Sequence, residues 1–212
     1  FIDKVGFGEF EYKFAFANAC DFESKNFTSI KLSHRPVERA CALNLPLTRK
    51  PDCGNVIGDV KFTSDGANLS KGRIEIPFKS KFENGFALSL DFKPMDISGM
   101  PVVASNGTHL SSGWYVQILG GFIQVSLGSN INTNVCALPG KWYNLRLVYD
   151  GCIAKIYVNS ELTNEVSLPR SIQNSRPDLK IGSYENVNEP SFKFKGFVRN
   201  LKIWESVPLD FN

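Results

Sequence analysis

An all-β, antiparallel two-sheet jelly-roll sandwich is predicted by three features of this sequence. The first is Lys141–Leu162 (KWYNLRLVYDGCIAKIYVNSEL), where two alternating apolar runs flank Asp150-Gly151. Such a pattern is that of a β-hairpin, and Asp-Gly suits the positive φ angles of a type I′ turn. The second is the recurrence of short alternating segments from Val60 onward, separated by Gly, Asn, Ser and Pro clusters, with no segment carrying the period of a long helix. The third is aromatic content: 17 Phe, 6 Tyr and 3 Trp in 212 residues, as expected where large rings fill the space between packed sheets.

Taken in order, Phe7–Phe16 (FGEFEYKFAF) alternates and is expected to be an edge strand closing against the C-terminal strand. Asn18–Gly54 carries Cys20, Cys41 and Cys53, three prolines and the basic residues His34, Arg35, Arg39, Arg49 and Lys50. It is expected to be an irregular, disulfide-pinned region, because so long a loop needs covalent or functional support. The domain reading is therefore an N-terminal elaboration, 1–58, packed on a sandwich, 59–212, as one structural domain. Within the sandwich, Arg73–Phe78 alternates, and Phe86–Phe92 places Phe86, Leu88, Leu90 and Phe92 on one face. Tyr115–Leu119 and Phe122–Leu127 flank a Gly120-Gly121 turn. In the hairpin Tyr143, Leu145, Leu147 and Tyr149 share a face, as do Ala154, Ile156 and Val158; Leu179–Ile181 and Lys193–Trp204 follow.

Composition narrows the function classes. A net charge of +3 and a pI near 8.6 fall far short of the basic density of nucleic-acid binders, so no nucleic-acid partner is expected. No apolar run reaches the ~18 residues of a membrane span, so no direct membrane insertion is expected. No charged-then-apolar leader opens the chain at Phe1, which leaves a leader removed or lying outside this sequence. The five cysteines, 20, 41, 53, 136 and 152, match neither zinc nor redox spacing, and disulfides are the better reading. The extended strand between Cys136 and Cys152 keeps them apart, so pairing is expected mainly among Cys20, Cys41 and Cys53. The odd cysteine is free or bonds another chain; oligomeric state is open. Asn26, Asn68 and Asn106 head N-x-Ser/Thr sequons, agreeing with an extracellular or cell-surface location.

No nucleophile elbow, HExxH or phosphate loop is present. Glycoside hydrolysis needs two carboxylates on one face of a strand. Glu9 and Glu11 sit on a presumptive edge strand, and Glu185 and Glu189 in a loop; solvated acids fit both pairs better. His34 and His109 read as surface loop residues. The chain is not expected to be an enzyme.

Four segments, Phe86–Val103, Gly113–Gly128 (GWYVQILGGFIQVSLG), Leu138–Ser160 and Phe194–Asp210 (FKGFVRNLKIWESVPLD), resemble in order and spacing a laminin G-like domain of the concanavalin A-like lectin/glucanase superfamily, over about 59–210. The resemblance implies a loop rim that binds ligand. At the family's usual calcium-ligating Asp stands Trp114, and without that carboxylate Ca²⁺ is poorly held there; Asp59 or Asp65 is left as a ligand for a structural ion elsewhere. Phe197 replaces the family's usual Cys, so a buried ring is expected in place of that disulfide. At the rim Trp114 either stacks on a sugar ring or fills the core, as Trp142 and Trp204 are expected to do. Asn130, Asn132 and Asn134 would offer neutral donors and acceptors to sugar hydroxyls, or form turns. Lys193 and Lys195, with Arg199 and Lys202, form a basic strip suited to a sulfated glycan or, more plainly, a solvated edge. The expected function is extracellular, non-catalytic recognition of a glycan or protein ligand. Alternatives are a carbohydrate-binding accessory module of a larger secreted enzyme and a protein-binding adhesion or receptor domain, disulfide-linked as a dimer.

Overall fold

The computed structural model describes residues 41–83, 85–109, 111–168, 172–185 and 188–208, together with the backbone of strands Gly8–Phe14 and Thr28–His34. The chain divides into two units, Phe1–Glu38 and Arg39–Asn212. In the first, β1 (Gly8–Phe14) and β2 (Thr28–His34) pair antiparallel, Gly8 opposite His34 and Phe14 opposite Thr28. This departs from the expected closure of residues 7–16 on the C-terminal strand. The segment TSIKLSH alternates as a strand should, and a local hairpin closes at less entropic cost than a pairing across the whole chain.

The second unit starts at Arg39, so residues 39–58 group with the sandwich. Its strands are β3 (Leu43–Leu45), β4 (Asn55–Thr63), β5 (Gly66–Ile76), β6 (Phe86–Pro94), β7 (Val102–Ser105), β8 (Trp114–Leu119), β9 (Phe122–Leu127), β10 (Asn130–Cys136), β11 (Tyr143–Tyr149), β12 (Ile153–Val158), β13 (Glu161–Ser167), β14 (Leu179–Ile181) and β15 (Gly196–Trp204). The pairing order is β10-β9-β8-β7-β14-β5-β15-β6-β11-β12-β13, with β3 added to β15 and β4 to β5. All of these pairings are antiparallel. Besides β5 and β6, it is β3 that lies against the C-terminal strand, with Leu45 opposite Leu201.

β5 turns this ribbon into a sandwich. Ala67 and Asn68 pair with β15, while Ile74–Ile76 pair with β14, so one long strand serves both layers and forms the corner between them. The far ends approach where Asn164 Nδ2 donates to the Asn132 carbonyl at 3.1 Å. Between the layers lies one core. Phe86, Leu88, Leu90 and Phe92 from β6, and Tyr143, Leu145, Leu147 and Tyr149 from β11, are buried, as alternation required. They face Trp114, Val116, Ile118, Ile123 and Val125 of the other layer. Phe92 stacks on Tyr143 at 5.6 Å, and Phe86 meets Trp114 at 6.1 Å.

Two hairpins repay a closer look. Gly120 and Gly121 both adopt positive φ, 59° and 83°, between the paired residues Leu119 and Phe122, the signature of a type I′ turn. The Asp150-Gly151 hairpin forms as well, but Gly151 alone has positive φ there. The Asp150 carboxylate instead accepts the Cys152 and Ile153 amides at 2.8 and 2.7 Å, an Asx-type turn replacing the expected type I′. That capping satisfies two amides which a two-residue turn would have drawn into the ladder.

Of the two roles open to Trp114 the structure shows the core one, and the core expectation for Trp142 and Trp204 is not met. Trp114 is fully buried, whereas Trp142 and Trp204 are only partly covered. Trp142 lies on the outer face of the β15-β6-β11 layer, with the Arg199 guanidinium 4.2 Å and the Lys93 ammonium 5.1 Å from its ring centre. Phe197 is also on this face, 4.5 Å from Lys93, and is half-buried; the fully buried ring nearby is Phe194. Asp91 ties the face together by accepting from Asn144 (2.7 Å), Asn200 (2.8 Å) and Arg199 (3.3 Å).

Among the described residues Cys41, Cys53, Cys136 and Cys152 are free. The Cys41 thiol donates to the Leu43 and Ile203 carbonyls, and the pairing expected among Cys20, Cys41 and Cys53 is not seen at Cys41 or Cys53. Cys20 and the Asn26 sequon lie outside the described residues. No helix among the described residues is long and apolar enough to cross a membrane.

Candidate functional site

β8 reads Trp-Tyr-Val-Gln-Ile-Leu, and its alternation decides what the outer face of the β7–β10 layer presents. Trp114, Val116 and Ile118 point into the core, which sends Tyr115, Gln117 and Leu119 outward. Register then builds two rungs across three strands: Tyr115, Ser126 and Asn130, and beside it Gln117, Gln124 and Asn132. The Tyr115 hydroxyl donates to Asn130 Oδ1 at 2.9 Å and lies 2.7 Å from His109 Nδ1. With its single proton given to Asn130, the hydroxyl accepts from His109, which sets the imidazole proton on Nδ1. Gln117 Nε2 donates to Gln124 Oε1.

Two further rings complete the wall. Tyr184 follows β14 through Gly182 and Ser183, and Phe192 ends a single 3₁₀ turn, Pro190–Phe192. Glu189 holds that turn, accepting from the Ser191 amide at 3.2 Å and the Ser191 hydroxyl at 2.8 Å. Tyr115, Tyr184 and Phe192 meet edge-to-face in sequence, each pair 5.3 Å between centroids. They border a groove of about 380 Å³ with Met100, Val102, His109, Gln117, Leu119 and Asn130. Among the described residues no Asp or Glu lines it.

Burial pushes the Tyr184 phenol up to about 12; the nearby Tyr115 and Glu185 add to this and the His109 backbone opposes it. Burial raises Tyr115 too, against hydrogen bonds with Ser126 and Asn130. A folded-state value above the unfolded ~10 means that Tyr184's contribution to stability is intact below that pH and is lost as pH rises toward about 12. In an alkaline ultraviolet titration, the last tyrosinate transition should therefore lag the exposed tyrosines and be absent in Tyr184→Phe. Titration of every tyrosine near its ordinary value would contradict the burial described.

The sequence-derived candidates fare unevenly. Asn130 lies in the groove. Trp114 does not, because its side chain fills the core and its Nε1 donates to Ser80 Oγ at 3.0 Å; the stacking role at the rim is thereby corrected. Asn132 occupies the next rung, its Oδ1 accepting the Asn134 amide at 2.9 Å, and Asn134 is an exposed bulge residue with φ 58°. Both act as turn formers outside the groove. Lys193 borders a separate pocket, and Lys195 pairs with Asp96 at 2.8 Å, holding the Asp96 carboxyl well below the usual range together with Ser98. Asn106 is fully buried with its amide wholly engaged, so it is a structural residue and no acceptor of glycan; Asn68 is half-buried on β5. Tyr115, Tyr184, Phe192, His109 and Gln117 went unrecognised as site residues. The alternation of WYVQIL carried the signal for Tyr115 and Gln117, since a buried Trp-Val-Ile stripe forces Tyr and Gln to the other face.

Among the described residues no three His, Cys, Asp or Glu side chains gather as a metal site.

A laminin G family model of the Concanavalin A-like lectin/glucanases superfamily matches residues 67–209. No curated protein matches the chain. Among solved structures, the binding domain of botulinum neurotoxin serotype D aligns with TM-score 0.57 and 15% identity, over 78% of this chain and 47% of that one. A crystal structure of that serotype's ligand-binding domain with N-acetylneuraminic acid aligns with TM-score 0.57 and 16% identity, over the same shares. This chain thus spans about half the length of those toxin domains, 47%. Domain 4 of AbnA, an extracellular arabinanase from Geobacillus stearothermophilus, in complex with arabinotriose, aligns with TM-score 0.53 and 18% identity, over 72% of this chain and 82% of that one. Such identities speak to fold alone. The family match over residues 67–209 and the two-layer antiparallel topology together place the chain in the Concanavalin A-like lectin/glucanases superfamily, as a laminin G-like β-sandwich.

Proposed function

We propose that this domain is a non-catalytic, extracellular recognition module that holds a saccharide against the Tyr115–Tyr184–Phe192 groove. The observation that carries this reading is the groove's lining: three aromatic rings beside amide and imidazole groups, with no carboxylate among the described residues. Apolar ring faces of a sugar pack on aromatic surface, while Gln117, Asn130 and His109 supply neutral donors and acceptors to hydroxyls. Glycoside hydrolysis needs a general acid and a second carboxylate across the scissile bond, and this groove offers neither. The arabinotriose and N-acetylneuraminic acid complexes of the structural neighbours support a saccharide as the class of ligand. Prealigned strands and interlocked rings reduce the entropy lost on binding.

Tyr184→Ala is expected to weaken binding to any saccharide found on a glycan array by about tenfold or more, as loss of a central aromatic anchor does. Trp142→Ala, on the opposite layer, should leave that affinity unchanged. Equal affinity for wild type and Tyr184→Ala would remove the groove as the site.

A second reading, protein recognition, draws on Met100 and Leu119, apolar side chains 36% and 37% exposed at the groove's lip. It predicts that Met100→Lys abolishes partner capture while glycan binding is absent throughout.

A further inference from the structure

A second pocket shares its wall with the groove. It measures about 260 Å³ and is lined by Ser70, Lys71 and Arg73 of β5, by Gly182 and Ser183 after β14, and by Lys193, among others. Its chemistry is one-sided. Lysine ammonium and serine hydroxyl groups donate, and among the described residues no carboxylate lines it. Arg73 is neutralised by Glu75, Nε to Oε1 2.8 Å. Lys71 and Lys193 have no ion-pair partner among the described residues. Asp59 stands opposite Lys71 in the β4–β5 register but outside the lining and beyond ion-pair distance. Ser183 is only 2% exposed, and its hydroxyl is buried without a hydrogen-bond partner, while Ser105 fixes its carbonyl at 3.0 Å. The Ser183 hydroxyl is too enclosed to meet a ligand, but two ammonium groups with no carboxylate partner among the described residues line one pocket with the exposed Ser70, and that arrangement suits an anion.

The relation between the two pockets is set by the chain itself. Ser183 lines the second pocket and its neighbour Tyr184 the groove; Phe192 lines the groove and its neighbour Lys193 the second pocket. Consecutive Cα atoms lie ~3.8 Å apart, so both pockets open on either side of a wall one residue thick, made twice over.

Resting on the groove as a saccharide site, we infer that the second pocket is its anion subsite and that the ligand is an acidic saccharide. One ring packs on Tyr184, and a carboxylate or sulfate sits at Lys71 and Lys193. The contact is electrostatic and hydrogen-bonded, and no covalent bond changes.

The test uses the whole chain as wild type, the double variant Lys71→Ala/Lys193→Ala and Tyr184→Ala. Each is applied to an array that includes lactose, sialyllactose and sulfated lactose among neutral, carboxylated and sulfated glycans. The hits should be acidic and should weaken by about tenfold or more in the double variant, as loss of charge-assisted hydrogen bonds requires. Their affinity should also fall with added salt. Carboxylated against sulfated hits identify the anion. Independently of any sugar, inorganic sulfate should shift the Ser183 and Lys193 amide resonances in wild type and in Tyr184→Ala alike, and not in the double variant. Neutral hits, or acidic hits indifferent to the double variant yet lost in Tyr184→Ala, would overturn the anion subsite and leave the groove standing. Sulfate shifts at Ser183 with no glycan bound by any variant would instead overturn the groove reading, and with it the acidic saccharide.

Discussion

Asn106→Ala should cost ~3–5 kcal/mol of unfolding free energy, since each buried partner left unmade costs roughly 1–3 kcal/mol and water recovers part of the sum. Asn106 accepts from the Ser80 amide at 2.9 Å and from the Ser80 hydroxyl at 2.6 Å, and donates to the Phe78 and Pro177 carbonyls, each at 2.9 Å. One fully buried amide thereby joins β7's exit to the segments before β6 and before β14. Asn106→Asp should be no milder, because it brings a buried carboxylate against two carbonyl oxygens in place of a donor. Thr108→Ala removes the same sequon without touching the amide. The measurement is denaturant unfolding of Asn106→Ala and Thr108→Ala, with intact mass from a glycosylating host. Asn106→Ala within ~0.5 kcal/mol of wild type, the range of an uninvolved surface change, or a glycan on Asn106, would refute the assignment.

Trp114→Ala is expected to destabilise by ~3–5 kcal/mol, the range for emptying a large aromatic site in a core. The ring lies between the layers near Phe86, and its Nε1 donates to the same Ser80 hydroxyl that Asn106 holds. Trp114→Phe should cost less, because most of the volume is kept while one buried hydrogen bond is lost. Sharing Ser80, the Trp114 and Asn106 variants should be non-additive when combined. Saccharide affinity per folded molecule should be unchanged in Trp114→Phe, in contrast to Tyr184→Ala. An undiminished melting temperature with lost binding would return Trp114 to the rim.

Much of the fold was legible from local pattern. Apolar alternation in Phe86–Phe92 and Tyr143–Tyr149 places those residues in the core, because a strand that buries one face must repeat every second residue. Strands β10 and β13 were harder to read. Asn130–Cys136 (NINTNVC) and Glu161–Ser167 (ELTNEVS) lie at the two ends of the ribbon, where a strand hydrogen-bonds on one side and needs few apolar side chains. The site was legible only in part. Asn130 was recognised through its hydrogen-bonding chemistry, but Tyr184 and Phe192 sit in a segment whose local sequence, GSYENVNEPSF, reads as a loop.

By itself, the sequence determined the class: period-two hydrophobicity, paired turns and aromatic load admit little besides an antiparallel sandwich, since each is a property of neighbouring residues. Which tryptophan fills the core, which strand closes against β15 and which rings meet across the outer face were decided by the tertiary structure alone. Tyr115 is far along the chain from Tyr184 and Phe192, and the three become a wall only when β8, β14 and the 190–192 turn are brought together. Register and layer packing are long-range conditions, and no local pattern encodes them.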